Sequence, residues 1–372
     1  MSYKIKYINL QAQHSSIKKE IKKKIESIFS RSAFILRKEV LDFEKKITKL
    51  LNIKYCVALN SGTDALLMSL SQIKINKGDE IIVPSHTYVA SVGSIKHIGA
   101  EPVFVDIRDD FNLDPNEIKK KITKKTRAIM VVHLNGRCCE MDKIMKIAKK
   151  YKLHVIEDCA QAFGSKFNNR YAGSFGLAGA FSLHPMKNLN IPGDGGFLVT
   201  NNKKVYSNVL LLRDHGRLKK KNKEIRKSYG LNSRLDNLHA GIALIKLKYF
   251  KKWVSKRRSV ARQYFLHLSD LSNFIKLPVY KDNSKFYETF NSFVLRAKNR
   301  NNLKKFLLKN KIEVFSHIDK GVHLEKNLYK KKITLKNTEK IEKEIISLPI
   351  YPELKKKDIL YICKKIRKFY EN

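Results

Sequence analysis

Three short segments hold residue types that could do chemistry together. The first is Asn60-Ser61-Gly62-Thr63-Asp64, which follows an apolar run and opens a helical pattern. Free N–H groups at a helix start attract anions, and a glycine lets a phosphate approach closely. Ser61 as a plain N-cap is the other use of the same residues. The second segment is Ile156-Glu157-Asp158-Cys159-Ala160-Gln161. An acid at the C-terminal end of a buried strand stands where open α/β sheets place their ligands. Such a carboxylate needs a partner, either a protonated ring nitrogen of a ligand or, structurally, a helix start or a cation. The third is Phe181-Ser182-Leu183-His184-Pro185-Met186-Lys187-Asn188. Here a strand ends, a proline stops further pairing, and a lysine follows on the loop. A desolvated lysine can form an imine with a carbonyl and later move a proton. Gly193-Asp194-Gly195-Gly196 then turns the chain into the next strand.

Other chemistries lack their patterns. There is no GxxxxGKS or GxxxxGKT phosphate loop, and Gly173, Gly176 and Gly179 are too widely spaced for GxGxxG. Ser182 and His184 have no GxSxG elbow around them. Of the five cysteines, Cys138 and Cys139 are adjacent, whereas metal-ligand pairs usually leave two or more residues between them. Even with His133 nearby, ordinary reduced thiols are the better reading, and an odd count without CxxC argues against a disulfide scaffold.

The elements that must position these segments lie between residue 54 and about residue 200. Apolar runs predict strands at Tyr55–Leu59, Glu80–Val83, Val103–Asp106, Ala128–His133, His154–Glu157, Gly179–Leu183 and Gly196–Val199. Helical patterns alternate with them at Thr63–Ile73, Val89–Ile98, Pro115–Ile122 and Met141–Lys150. Valine and isoleucine runs without clean alternation mark strands buried on both faces, so the sheet is expected to be mostly parallel and helix-covered. Leu235–Phe265 reads as a long helix with a break near Trp253, and Gly216–Arg226 as a basic mobile loop. Beyond it come a strand at Phe290–Leu295 and helices at Asn301–Lys309 and Lys355–Tyr370. The expected division is a large domain over residues 1–245 and a smaller α+β domain over 246–372.

The chain has 372 residues, 43% of them hydrophobic, enough for one large and one smaller domain. The net charge of +43 raises nucleic-acid binding. However, the lysines are spread along the whole chain instead of forming one face or tail, which argues against that partner and fits drift at surface positions. No stretch approaches the roughly 20 apolar residues of a membrane helix. Residues 1–10 lack a secretory pattern, so a cytoplasmic protein is expected.

The ordered set of motifs resembles the DegT/DnrJ/StrS-type sugar aminotransferases, a branch of the fold-type I pyridoxal 5′-phosphate (PLP) enzymes. The likeness starts at Ile8-Asn9-Leu10, is strongest at Glu157–Gly164 and Phe181–Thr200, and continues through Gly230–Leu247 to Leu348–Tyr370. It implies a fold-type I α/β architecture with a seven-stranded sheet and a PLP cofactor. Lys187 then looks like the Schiff-base lysine, Asp158 like the partner of the ring nitrogen, and Gln161 like the residue beside the ring hydroxyl. Tyr88 resembles the aromatic stacked on the ring; by itself it also reads as a core tyrosine. Gly62, Thr63 and Ser182 look like phosphate ligands. Asn232, in Gly230-Leu231-Asn232-Ser233-Arg234-Leu235, resembles an asparagine that reaches the phosphate of a second subunit, implying a homodimer. The implied reaction moves an amino group, from glutamate by resemblance, to a keto group of a nucleotide-linked sugar, with surface polysaccharide as its outlet. Relatives with histidine in place of the lysine are dehydrases, and Lys187 favours transamination. The segment Phe315–His323 lacks the tyrosine-proline loop between two histidines that many relatives carry. Arg137, near a strand end, reads either as a substrate contact or as a surface residue.

Overall fold

The computed structural model describes residues 3–220, 223–280 and 285–371. Three helices come first: α1 (Leu10–Ser15), α2 (Lys18–Ser30) and α3 (Lys38–Leu51). Strands and helices then alternate: β1 (Tyr55–Leu59), α4 (Gly62–Leu70), β2 (Glu80–Pro84), α5 (Val89–His97), β3 (Glu101–Val105), α6 (Pro115–Lys121), β4 (Thr126–Val132), α7 (Met141–Tyr151) and β5 (His154–Asp158). A small hairpin, β6 (Lys166–Phe167) and β7 (Arg170–Tyr171), leads to β8 (Ala178–Ser182), β9 (Gly196–Thr200) and α8 (Lys203–Leu212).

The helix boundaries follow local chemistry. Asp114 caps α6 by accepting from Asn116 N at 2.9 Å, Pro115 sits where no N–H is needed, and Lys119–Lys121 fill the last turn. Helices α3 and α7 both end at a left-handed residue, Asn52 and Lys152.

The seven strands form one sheet in the order β1-β9-β8-β5-β4-β2-β3, in which β9 alone runs against its neighbours. Alternate residues of one strand enter opposite cores. Ile129 and Val131 of β4 pack with Phe43, Phe181 and Phe197 on one face, while Ala128 and Met130 pack with Leu59, Ile81 and Val83 on the other. Burial on both faces explains why these strands read as continuous apolar runs.

Within Gly216–Arg226, read from sequence as a basic mobile loop, Arg217–Lys220 and Lys223–Arg226 pair as antiparallel strands β10 and β11, residues 221 and 222 lying outside the described residues. The base of this pair is closed by Lys227 N donating to Gly216 O at 3.0 Å, with Gly216 at φ +73°. The long helix α9 (Asn237–Leu268) runs without the expected break at Trp253. After Gly241 it contains neither glycine nor proline, and Trp253 is buried against Ile17 and Ile245. Its first part packs into the sheet's core through Phe250 and Val254, and its last part into a second core through Val260 and Tyr264. That second core surrounds β12 (Ile275–Lys276), β14 (Phe293–Ala297) and β15 (Ile345–Leu348), with α10 (Arg300–Lys309) and α12 (Lys356–Glu371). Strand β13 (Phe286–Tyr287) joins the β6–β7 hairpin, and α11 (Lys336–Glu344) precedes β15. Ile5, from the N-terminal arm, bridges to Ile312 and belongs to the second core.

Candidate active site

A cavity of about 540 Å³ opens at the C-terminal ends of the parallel strands. That is within the usual size range of ligand sites, and it lies where an open α/β sheet places its ligand. Gly62, Thr63, Tyr88, Asp158, Gln161, Ser182 and Lys187 all line it. Asn232 does not: it is exposed, on a segment tied back at Ser233, whose Oγ donates to Asp64.

One end of the cavity is the start of α4. Ser61 caps it by accepting from Asp64 N at 3.0 Å, so the N-cap reading holds. The same cap leaves the Gly62 and Thr63 N–H groups without an intrahelical acceptor. A Cβ on Gly62 would lie 2.8 Å from Ser182 Cβ, and one on Gly196 would lie 2.3 Å from Ser61 O. Only glycines let the ends of β1 and β8 and the start of β9 converge this tightly.

Asp158, the last residue of β5, is buried. Its Oδ2 accepts from Ser91 Oγ at 2.7 Å, and its Oδ1 from Ala160 N at 3.0 Å. Ser91 in turn contacts Thr87 Oγ1 at 2.8 Å. Behind Asp158, the fully buried Glu157 accepts from His133 Nε2 at 3.0 Å and from the backbone N–H groups of Gly173, Phe175 and Gly176. Cys139 N donates to His133 Nδ1, so the ring is held with its proton on Nε2. The ligand atoms of Glu157, His133 and Cys159 lie within 4.8 Å of one another. With four donors on Glu157 and both histidine nitrogens engaged, the cluster works as a structural brace. All five cysteines are buried free thiols.

Lys187 ends the tight turn in which its N–H donates to His184 O at 2.9 Å. Burial holds its amine below the usual lysine pKa, while the Asp158 carboxylate pulls it back up. Gln161 Oε1 accepts from Asn135 N at 2.9 Å, which leaves its NH₂ end for a ligand. Tyr88 is 70% exposed at the cavity edge, so it is not a core tyrosine.

Some lining residues were not singled out as site residues from sequence. Tyr7 arrives from the N-terminal arm, and Asn291 and Ser292 from the segment before β14. His317 also lines the cavity, with burial and the nearby Lys187 lowering its pKa. His323, the second histidine of that loop, is instead buried against Ser85 Oγ at 2.6 Å. Arg137 is not the surface residue that the second expectation allowed. It is largely buried outside the main cavity, paired with Glu288 and Asp110 and lying 3.7 Å over the Phe286 ring.

Comparison with known proteins agrees with this geometry. The model of the DegT/DnrJ/EryC1/StrS aminotransferase family matches residues 15–367. A dTDP-3-amino-3,6-dideoxy-alpha-D-galactopyranose transaminase of Aneurinibacillus thermoaerophilus is 37% identical over 368 residues, covering 98% of this chain and 99% of the relative. A pleiotropic regulatory protein of Geobacillus stearothermophilus is 35% identical over 370 residues, covering 98% of each. The crystal structure of S. venezuelae DesV in complex with a ketimine intermediate superposes with a TM-score of 0.94 at 32% identity, over 100% of both chains. The chain belongs to the DegT/DnrJ/EryC1/StrS aminotransferase family and is a PLP-dependent aminotransferase.

Proposed function

We propose that this aminotransferase moves an amino group from an amino acid, glutamate by resemblance, to a keto group of a nucleotide-linked sugar. The observation that carries the reading is a single cavity holding the Lys187 amine, within electrostatic reach of the Asp158 carboxylate, opposite the Gly62–Ser182 approach. The donor set fits PLP. The free N–H groups of Gly62 and Thr63 suit a phosphate, the Asp158 carboxylate suits a protonated ring nitrogen, and the Lys187 amine suits an aldehyde. When bound, PLP supplies an electron-accepting ring that spreads the charge left at a carbon losing its proton.

The chain's residues do the rest. Ser182, Gly62 and Thr63 anchor the phosphate, and Tyr88 covers one ring face. The Gln161 NH₂ serves the ring hydroxyl. Asp158, oriented by Ser91 Oγ and Ala160 N, keeps the ring nitrogen protonated. With PLP bound, Lys187 would hold its aldehyde carbon as the attachment point, and its amine would move a proton between the donor's α-carbon and the cofactor's C4′. Asn232, exposed and outside its own chain's cavity, reaches the phosphate of a second copy, which makes the working unit a homodimer.

The sugar assignment draws on the dTDP-sugar transaminase relative. Surface-polysaccharide synthesis is the outlet we favour, and the cytoplasm the compartment; no helix among the described residues is long and apolar enough to cross a membrane. Incubation with glutamate and a panel of keto nucleotide-sugars, read by mass, tests the reading. An amino sugar together with 2-oxoglutarate is expected. A deoxy-keto product without nitrogen transfer would identify a dehydrase.

A further inference from the structure

We propose that Lys246, in the middle of α9, is a positioning residue that clamps the N-terminal arm onto the loop carrying Lys187. The proposal rests on the reading of Lys187 given above.

Lys246 is fully buried, yet it does not line the active-site cavity. Its Nζ donates to Asn190 Oδ1, and it lies 2.9 Å from His14 Nε2 on α1. Asn190, also buried, gives its Nδ2 protons to Lys187 O at 3.0 Å and to Gln13 Oε1 at 3.3 Å. One ammonium therefore reaches the backbone of the catalytic lysine through a single amide. The same amide holds Gln13 of α1, and that arm also delivers Tyr7 to the cavity. Ile191 N donates to Leu183 O at 2.9 Å, so the loop from Leu183 to Ile191 closes on itself and is fixed from behind by Asn190.

Packing alone does not call for a lysine here. An unbranched apolar side chain fills the same space without burying a charge, and buried ion networks are commonly matched in stability by hydrophobic replacements. Burial lowers the Lys246 pKa to about 8, which the Glu353 carboxylate partly opposes. What the ammonium adds is direction. Its protons meet an imidazole nitrogen of the arm and a carbonyl of the loop, so arm and loop share one donor.

The test replaces Lys246 with Met and, separately, Asn190 with Ala in the full-length chain. Hydrogen exchange is followed in the cofactor-free protein. Backbone amides between residues 183 and 191 are expected to exchange about tenfold faster in both variants, the scale of one lost hydrogen bond to a charged group. Amides of β4 should keep their wild-type rates. In the loaded enzyme, kcat should fall about tenfold with KM unchanged, and the pH midpoint of the visible band should move, because Lys187 is displaced and not removed. Wild-type exchange in the loop, or acceleration spread equally over β4, overturns the proposal. If Lys246→Met does not fold, Asn190→Ala decides alone by the same criterion. A Lys187→Ala protein that keeps its visible band would sink the Lys187 reading instead, leaving the exchange result to stand separately.

Discussion

Gly62 and Ser182 meet so closely that any side chain at position 62 would strike position 182, with 2.8 Å between an added Cβ and Ser182 Cβ. Gly62 opens α4 and Ser182 ends β8, and their contact sets how closely those two ends approach at the cavity wall. Gly62→Ala must therefore push the α4 start away from Ser182, an overpacking of about 1–3 kcal/mol. The expected outcome is about tenfold weaker PLP binding or worse, read by titrating cofactor-free protein with PLP. Unchanged affinity would mean that the phosphate does not sit there.

The proposal assigns the bond to the cofactor to Lys187, the lysine that lines the cavity among the described residues. Lys187→Ala should abolish the visible band that borohydride reduces, and should lower kcat by about 10²–10⁴ through loss of proton transfer. Peptide mapping after reduction is the direct check: the label belongs on the peptide containing residue 187.

The electrostatic influence of Asp158 on Lys187 makes a signed pH prediction. Burial lowers the lysine pKa and the carboxylate raises it. Since the neutral amine is the reactive form, labelling of Lys187 in cofactor-free protein should reach its plateau at lower pH than an ordinary lysine with a pKa of about 10.4. Asp158→Asn removes the opposing charge and should move that midpoint lower still. An upward movement would contradict the arrangement.

Glu157 supplies a stability test outside the chemistry. Its four donors come from His133 and the 173–176 turn. Glu157→Gln turns an NH₂ toward backbone N–H groups, so the denaturant midpoint should fall by the equivalent of about 3 kcal/mol. A shift below about 0.5 kcal/mol, typical of surface changes, would show the brace to be dispensable.

How much of this was legible in the sequence depended on the range of the interactions. Strands such as Tyr55–Leu59 were readable to the residue because burial on both faces writes itself as an uninterrupted apolar run. Lys187 is one of 77 lysines and arginines, so its type said little; the preceding strand end and Pro185 gave it a place. Tyr7 had no such mark. It enters the cavity because Ile5 pairs with Ile312 some 300 residues on, a tertiary contact that no local period encodes. That Arg137 is buried and not on the surface was hidden for a similar reason, since its partner Glu288 lies 151 residues away. The hairpin at 217–226 was hidden by its lysines, whose charge resembles a solvated loop although the backbone pairs.

Asn232 lends itself to a mixing experiment. It lies outside its own chain's cavity, and the proposal assigns it to the site of a second copy. Asn232→Ala alone should weaken PLP binding, and Lys187→Ala alone should be inactive. In a mixed dimer of the two variants, one site combines the intact Lys187 of the first chain with the intact Asn232 of the second, while the other site lacks both. Co-expression should therefore restore one full site per mixed dimer, about half the wild-type activity for that species, with binding at one site as tight as in wild type. If Asn232 instead served its own chain's phosphate, no site in the mixture would be complete. Activity would then never exceed that of the Asn232→Ala chains alone. Activity measured against the fraction of mixed dimer, separated by distinct affinity tags, distinguishes the two geometries.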